Sequence, residues 1–339
     1  MASVTLSWAI SSVELTYRLG ELTLGSVAFC MRALETHFTA LPDDVYEGAS
    51  EQLATPEVEG ILLRSCPVSR RLSRLSWTGR ALRYVPMQYE RYYVKLDGTF
   101  ENYLLKFSSS SRSTLKRKVR RFTEAAGGKL QWREYSTPAE MVEFHTAARQ
   151  ISRTTYQELL LGAGLPDEPD FVTSMIRLAD RKAVRAYVLF LDNCPAAYMF
   201  CPALNQTILL YPYLGYDPHF RDLSPGTVLQ YLVLERLFED GQFSLFDFTE
   251  GQGPQKISFA TGSRACADIY YFRWRPRPIA FALLHAAIDG LSSTAGRALQ
   301  GLGAKRHVRN VFRILALRAV ERDARKVNKV THKGRSVRS

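Results

Sequence analysis

The sequence lacks an apolar run long enough to cross a membrane. Its longest run, from Ile279 to Ile288, is much shorter than the roughly 20 residues that a spanning helix needs. The N-terminus, where Glu14 and Arg18 stand among alternating polar residues, also lacks the basic, apolar and small-residue order of a secretory leader. We therefore expect a soluble, cytoplasmic protein.

Cysteine is scarce, and no Cys-x-x-Cys pair is present. The five cysteines are Cys30, Cys66, Cys194, Cys201 and Cys266. Because a chain of 339 residues with 46% hydrophobic residues can bury a large core, disulfides are not needed for stability, and buried reduced thiols are expected. No His or further Cys completes metal-ligand spacing around Cys194 and Cys201, so no metal is predicted.

Acidic residues are scarce at the C-terminus. From Lys305 to Ser339 the chain has twelve Lys or Arg against Glu321 and Asp323, a balance of +10, which leaves only +2 of the total +12 for the rest. The excess charge therefore belongs to a tail, and nucleic-acid binding is not the expected role of the domain before it.

Hydrophobic patterns predict a mixture of strands and helices. The runs Val13–Tyr17 and Ser26–Phe29 alternate, and Tyr84–Leu96 is typical of a strand pair broken at Pro86 and closed by the Asp97-Gly98 turn. A basic helix (Arg112–Arg121), a strand (Leu130–Glu134) and a long helix entered at the Thr137 cap (Pro138–Leu161) are predicted next.

A meander followed by a crossover is predicted in the second half of the chain. Its strands are Ala183–Leu191, Ala196–Ala203 and Thr207–Tyr213, and helix Pro225–Asp240 then leads to strand Leu245–Phe248. A strand, a loop, a helix and a returning strand imply that the last strand pairs in parallel with its predecessor. This connection predicts an opening beside the helix N-terminus.

The segment that enters this helix has the properties of a phosphate-binding loop. It reads Arg221-Asp222-Leu223-Ser224-Pro225-Gly226-Thr227, and its first helical turn has no acidic residue, so free backbone amides can receive phosphate oxygens. Gly226 allows close approach, and Arg221 can neutralise a pyrophosphate. The structural alternative is that Ser224 only caps the helix and Pro225 occupies its first position.

Residues Tyr213–Thr227 resemble the signature of the CelD-like branch of GNAT acyltransferases, which is associated with cellulose and envelope polysaccharide synthesis. The chain is also distantly similar to Fem-type aminoacyltransferases. The resemblance extends from about Tyr89 to Tyr271. It implies an α+β GNAT fold, with a central mixed, mostly antiparallel sheet flanked by helices, in residues 99–278. Residues 1–98 would form an N-terminal lobe, a degenerate second GNAT unit, and residues 279–339 a helical, basic tail.

The resemblance also implies acetyl-CoA or another acyl-CoA as co-substrate. Its pantetheine arm would lie along the strand that ends at Tyr213, with the thioester pointing toward Tyr211 and Tyr213. The pyrophosphate would contact the loop and the first helical turn, formed by Arg221, Leu223, Ser224, Pro225, Gly226, Thr227 and Val228.

Acyl transfer needs a group that removes a proton from the acceptor. The candidates are Tyr211, Asp217, Asp247 and Glu250, with Lys256 as a candidate for acceptor binding or charge stabilisation. Each has a structural alternative: Asp217 as a turn residue, Tyr211 in the core, and Asp247 bound to backbone amides at a strand end.

The sequence departs from the family pattern at one site. The family reads Gly, acidic, acidic, Pro, Tyr, Lys, whereas this chain has Gly251, Gln252, Gly253, Pro254, Gln255 and Lys256. This departure predicts a different acceptor, the use of Glu250 in place of the missing carboxylates, or a loss of activity.

Two basic regions are candidates for anion contact. Arg112, Lys116, Arg117 and Arg120 either clamp phosphate groups of a carrier-linked acceptor or of RNA, or form a solvated helix face. In the tail, Val308, Val311, Phe312, Leu315 and Ala319 share one helical face among arginines. This pattern favours a helix packed on the domain, with a peripheral contact to an anionic membrane as the alternative.

Three functions fit these observations. The first is transfer of an acyl group from acyl-CoA to an amine or hydroxyl of a small-molecule, sugar or lipid-linked acceptor. The second is an aminoacyl-tRNA-dependent, Fem-like transfer, which would use both basic regions. The third is a non-catalytic scaffold or nucleic-acid-binding protein.

Overall fold

The computed structural model describes residues 6–20, 22–54, 57–79, 81–155, 164–251 and 253–301. Its strands are β1 (Trp8–Leu19), β2 (Leu22–Leu34), β3 (Gly60–Pro67), β4 (Leu75–Thr78), β5 (Ala81–Lys95), β6 (Gln131–Tyr135), β7 (Val184–Leu191), β8 (Cys194–Leu204), β9 (Ile208–Leu210), β10 (Tyr213–Tyr216), β11 (Leu245–Asp247) and β12 (Gly262–Arg273). Its helices are α1 (Phe100–Leu104), α2 (Ser109–Ala125), α3 (Pro138–Ser152), α4 (Pro169–Asp180), α5 (Pro225–Asp240), α6 (Pro254–Phe259) and α7 (Pro276–Gly301), with 3-10 turns at Phe38–Ala40, Val45–Ala54 and Pro218–Leu223.

The strands form one twelve-stranded sheet flanked by helices, which confirms the predicted α+β, mostly antiparallel architecture. The order along the sheet is β1-β2-β3-β12-β5-β11-β9-β8-β7-β6, with β10 beside β8 and β4 beside β5. The crossover prediction is confirmed as well, because β11 pairs with β9 in parallel. Strand β12, which precedes the predicted boundary at residue 278, pairs with β3 and β5 of the N-terminal part.

Helices cover the two faces of the C-terminal part of the sheet. Helices α1, α2 and α5 pack on one face, around a core that includes Phe122, Leu229 and Phe246. Helices α3 and α4 pack on the other face, where Phe144 and Met175 are fully buried. On the N-terminal part, helix α7 packs against β1 and β12.

The predicted strand pair at Tyr84–Leu96 is wrong, because β5 is one continuous strand through Pro86. Its register against β12 shifts between Asp268 and Tyr270, opposite Met87 and Tyr84. Proline lacks a backbone N–H and is tolerated in a sheet at such a bulge. Pro86 therefore does not end the strand, because β5 pairs there with β12, a strand almost two hundred residues away in the sequence.

Three other predictions need correction. Helix α3 begins at the predicted Thr137 cap, where Thr137 and Glu140 form a capping box, but it ends at Ser152, and residues 156–161 of the predicted helix lie outside the described residues. The predicted strand Thr207–Tyr213 is divided at Pro212 into β9 and β10. Cys30 and Cys194 are exposed rather than buried.

Among the residues that the structure describes, no helix is long and apolar enough to pass through a bilayer. The predicted amphipathic face from Val308 to Ala319 lies outside the described residues, as does Gln252.

Candidate active site

The parallel pairing of β9 with β11 ends at Leu210 and Asp247, and β10, which continues the chain from β9, does not pair with β11. We assign the predicted opening to this point. Asp247 is aligned with Leu210 in the parallel pair, and the Tyr211 amide donates to the Asp247 carbonyl at 2.9 Å. Beyond that bond, β10 pairs with β8, whereas the chain after β11 turns away at Thr249, which has a φ of 58°. Backbone groups at the strand edges line this gap, and they are available to form hydrogen bonds with a ligand that lies in it.

The N-terminus of helix α5 lies at this opening. Ser224 adopts left-handed backbone angles (φ 54°, ψ 47°) and its side chain makes no capping hydrogen bond, so the simple capping alternative does not hold. A Cβ on Gly226 would lie 3.4 Å from both Leu214 and Tyr216 of β10, so the helix approaches the strand closely there. Leu223, Ser224 and Thr227 are partly exposed, Pro225, Gly226 and Val228 are buried, and Arg221 is exposed.

The two tyrosines beside the opening have structural surroundings. Tyr211 packs between Phe246 and Phe248, with ring centroids 5.5 and 5.6 Å away, and burial raises the pKa of its hydroxyl well above the ordinary value. We therefore assign Tyr211 to the core rather than to proton transfer. The ring of Tyr213 packs on Phe171 of helix α4, which leaves mainly its backbone for a ligand.

Asp217 is a turn residue in this structure. It precedes the 3-10 turn Pro218–Leu223, and its Oδ1 accepts a hydrogen bond from the His219 amide at 2.9 Å. The same oxygen lies 2.7 Å from Nδ1 of His219. The structural alternative for Asp217 therefore explains its contacts without a catalytic role.

Asp247 is the centre of a buried polar network. Its Oδ2 lies 2.6 Å from Nη2 and 3.1 Å from Nε of Arg91, and 3.0 Å from Nε2 of His37. Its Oδ1 accepts from the Thr249 amide at 2.8 Å. Burial alone would raise the pKa of Asp247, but the hydrogen bonds from His37 and Arg91 outweigh it and keep the pKa below the usual value. A carboxylate held in this way orients its partners and is a poor general base.

A cavity of about 380 Å³ adjoins this network, and His37, Arg64, Ser65, Arg91 and Glu250 lie on its wall. Glu250 is exposed at the cavity, and within the described part of the chain its carboxylate makes no hydrogen bond. Partial burial, with Asp268 nearby, raises the pKa of Glu250. A carboxyl with a raised pKa, facing a cavity, is suited to accept a proton near neutral pH.

Lys256, in contrast, fixes the loop that carries Glu250. Its Nζ donates to the carbonyl oxygens of Phe248 at 2.7 Å and of Glu250 at 2.5 Å. Burial lowers the pKa of Lys256. Both carbonyls hold the ammonium group of Lys256 within its own loop. We therefore assign Lys256 to positioning this loop rather than to charge stabilisation.

The basic helix α2 packs against helix α5 and against the turn Pro218–Leu223. It therefore brings positive charge to the side of the predicted pyrophosphate site. Lys116, Arg117 and Arg120 are exposed, and Arg120 lies 3.6 Å from Glu124. Arg112 uses Nη1 to donate to the Phe107 carbonyl at 2.8 Å, so part of its guanidinium stabilises the preceding turn.

The sequence did not reveal the N-terminal side of the site. His37, Ser65, Tyr89, Arg91 and Asp268 were not predicted, yet the Tyr89 hydroxyl contacts Ser65 Oγ at 2.7 Å and Asp268 Oδ1 at 3.3 Å. Only the alternation within β5, which places Tyr89 and Arg91 on one face, could have indicated two of them. The others come from segments far apart in the chain.

Comparison with known proteins agrees with this geometry. Residues 109–256, which lie inside the predicted 99–278 domain, match the family model described as acetyltransferase (GNAT) domain. No curated protein sequence matches the chain. Residues 109–256 are thus similar to a GNAT acetyltransferase domain, and they lie within a mixed α+β fold.

Solved structures resemble this chain at low sequence identity. FemX is similar over 81% of this chain and 90% of its own, with a TM-score of 0.50 and 10% identity. A C-terminal domain from Agrobacterium fabrum, described as that of a lysylphosphatidylglycerol synthetase, covers 84% of this chain and 88% of its own, with a TM-score of 0.46 and 13% identity. L-PGS from Bacillus licheniformis covers 81% and 89%, with a TM-score of 0.45 and 12% identity.

Proposed function

We propose that this protein transfers an acyl group from acyl-CoA to an amine or hydroxyl. The observation that carries the proposal is the position of Asp247. Its carbonyl accepts from the Tyr211 amide where the pairing of β9 with β11 ends, and its side chain contacts His37 and Arg91 on the wall of the cavity. A thioester in the gap and an acceptor in the cavity would therefore meet at one place.

The chemistry then needs little beyond positioning and one proton acceptor. The acceptor's nitrogen or oxygen adds to the thioester carbonyl, the carbon–sulfur bond breaks, and CoA leaves as the thiolate, which takes up a proton. Glu250 accepts the proton that the acceptor loses, while Arg91 and His37, held by Asp247, shape the cavity wall.

Calorimetric titration with acetyl-CoA and longer acyl-CoAs tests the proposal. The variant pair Gly226→Asp and Arg221→Glu places negative charge at the helix N-terminus, so micromolar binding should be lost. Gly226→Ala is the matched control, because its Cβ would make only van der Waals contacts at 3.4 Å. Folded protein that binds no acyl-CoA would contradict the proposal.

An aminoacyl-tRNA donor is the second candidate. It is favoured by the position of the basic helix α2 beside the turn Pro218–Leu223, since this helix could contact RNA phosphates. Salt-sensitive tRNA binding that requires Lys116 and Arg117, together with no acyl-CoA binding, would establish this candidate over the first.

The finer assignments also remain proposals. These are acetyl-CoA as the particular donor, membership in the CelD-like branch, a sugar or lipid-linked acceptor in envelope synthesis, and membrane contact by the basic tail. An acceptor screen that follows thiol release would address the first three.

A further inference from the structure

Helix α5 buries one amide side chain in a stretch of apolar residues. Gln230 is fully buried. The other buried residues of this helix after Gly226 are apolar or aromatic, namely Val228, Leu229, Tyr231, Leu232, Val233, Leu234, Leu237 and Phe238. Because burial of a polar group is unfavourable unless its polar atoms have hydrogen-bond partners, the contacts of the Gln230 amide need an explanation.

Gln230 has a partner for only one of its two amide atoms. Its Oε1 accepts a hydrogen bond from Nε2 of Gln255 at 2.6 Å, whereas its own Nε2 is buried and makes no hydrogen bond within the described part of the chain. Reversal of the amide would exchange the two atoms and would still leave one of them without a partner. Such an atom has lost its hydration without compensation, and a hydrogen bond to a ligand would supply that compensation.

The hydrogen bond between Gln230 and Gln255 connects helices α5 and α6 across two strands of the sheet. Helix α5 packs on β8 and β10, helix α6 packs on β5, and β9 and β11 lie between β8 and β5. Phe259 of α6 belongs to the same core cluster as Val228 and Leu229 of α5, so both helices lie on one face. The amide pair therefore crosses β9 and β11 on this face.

Gln230 lies close to the start of helix α5. Four residues separate it from Gly226, which is about 6 Å along the helix at 1.5 Å per residue. A Cβ on Gly226 would lie 3.4 Å from Leu214 of β10, so this part of the helix lies beside the strand that follows β9. The first turn of the same helix is the proposed pyrophosphate site.

Gln255 lies beside the chain that follows β11. The next residue, Lys256, donates to the carbonyl oxygens of Phe248 at 2.7 Å and of Glu250 at 2.5 Å. Since the pairing of β9 with β11 ends at Asp247, this segment forms one side of the opening and β10 forms the other. The amide pair thus connects the two sides of the opening, between the proposed pyrophosphate site and Glu250.

We propose that Gln230 binds the pantetheine arm of the acyl donor, with its amide donating a hydrogen bond to a carbonyl oxygen of the arm. This inference rests on the proposed acyl-CoA-dependent function. The arm of CoA is an extended chain with two amide groups between the pyrophosphate and the thioester, so it presents carbonyl oxygens along the path beside which Gln230 lies. Gln255 holds Oε1 of Gln230 and thereby leaves Nε2 to the ligand.

The surroundings of Gln230 favour a neutral arm over the phosphates of a nucleic-acid donor. Every other residue of α5 from Val228 to Leu234 is apolar or aromatic, and the hydrogen bond that Gln230 accepts comes from another neutral amide. A phosphate group at this place would lose its hydration without an opposite charge to compensate it. The amide and methylene groups of pantetheine match these surroundings in polarity.

Binding and stability measurements on Gln230→Met test the inference, because methionine keeps the length of the side chain and removes its amide. Calorimetric titration should show an affinity for acetyl-CoA that is lower by about tenfold, which corresponds to the loss of one hydrogen bond at a buried group. Affinity for 3′-phosphoadenosine 5′-diphosphate, which has the pyrophosphate but no pantetheine, should change by less than about twofold. The midpoint of thermal unfolding of the free protein should not fall, since the substitution removes a buried atom without a partner.

Gln242→Met is the matched control. It makes the same substitution just beyond the end of helix α5, where Gln242 is exposed, and the affinity for acetyl-CoA should stay within about twofold. If Gln230→Met does not fold, Gln230→Leu is measured in the same way, because leucine is apolar and favours helices.

Two results would overturn this inference alone, and a third would overturn the proposed function with it. Unchanged affinity for acetyl-CoA in a folded Gln230 variant would show that the amide does not contact the donor. A lower midpoint of thermal unfolding, with equal losses of affinity for acetyl-CoA and for the nucleotide, would assign Gln230 a structural role. Absence of binding of any acyl-CoA by the folded, unmodified protein would contradict the proposed function itself.

Discussion

The carboxylate of Asp247 on β11 and the guanidinium of Arg91 on the neighbouring strand β5 form a buried ion pair, with Oδ2 and Nη2 2.6 Å apart. Arg91 also donates to Ser65, and Asp247 contacts His37, so the pair connects the N-terminal segments with the strand that ends at the proposed acyl site. Because both partners are desolvated, each depends on the other for compensation of its charge.

Loss of this pair should strongly destabilise the protein. Asp247→Asn leaves the Arg91 charge buried without its partner, and we expect the free energy of unfolding to fall by about 3–5 kcal/mol. Guanidinium denaturation followed by circular dichroism measures the change. Glu47→Gln removes an exposed pair with Arg70 and should have a much smaller effect, because solvent screens that pair. Equal effects of the two substitutions would contradict the assignment.

The carboxyl of Glu140 should titrate at unusually low pH. Hydrogen bonds from the amides of Ser136 and Thr137 lower its pKa from 4.5 to about 2. Because the folded pKa is depressed, its stabilising contribution is complete above the unfolded pKa of 4.5 and is lost as the pH falls from there toward 2.

NMR titration of the Glu140 carboxyl carbon checks this value. Glu140→Gln should flatten the dependence of stability on pH in that window. Glu143→Gln, which removes an exposed partner of Arg133, should leave this dependence of stability on pH unchanged. An ordinary pKa for Glu140 would show that the capping box does not form in solution.

Acyl transfer should depend on the protonation of Glu250. Since its pKa is raised, kcat/KM should fall as the pH drops through a value above the ordinary glutamate pKa of 4.5. Glu250→Gln should lower kcat by about 100-fold or more, abolish this limb of the profile and leave acyl-CoA affinity unchanged. A Glu250→Gln enzyme with the original pH profile would exclude Glu250 as the proton acceptor.

The charge of helix α2 should affect anion affinity but not folding. Lys116→Glu, Arg117→Glu and Arg120→Glu together should weaken acyl-CoA binding at least about tenfold at low salt, because all three are exposed on a helix that packs against the turn Pro218–Leu223. Arg177→Glu and Arg181→Glu at the end of helix α4 are the control, since these residues are also exposed. Equal loss in both variants would indicate a general effect of net charge.

Local signals predicted the elements around the acyl site well. The Thr137 cap, the start of helix α5 at Pro225 and its end at Asp240 depend on backbone geometry within a few residues, and the structure has all three. The opening followed from the order of strand, helix and returning strand. Prediction failed at Pro86, because a bulge formed by a distant strand accommodates a residue that would otherwise end a strand.

The roles of the candidate side chains were harder to predict. Tyr211, Asp247 and Lys256 were candidates from the sequence, but the contacts of their side chains depend on neighbours that local sequence cannot identify. Packing between Phe246 and Phe248 makes Tyr211 a core residue, and two nearby carbonyls hold Lys256.

The sequence by itself determined the α+β class, the parallel crossover and the loop at the start of helix α5, because these follow from short-range periodicity and backbone constraints. Only the tertiary structure decided that Asp247 would be enclosed by Arg91 and His37 while Glu250 faced a cavity. Burial and the pairing of charges depend on segments more than 150 residues apart, and these meet only when the sheet is assembled.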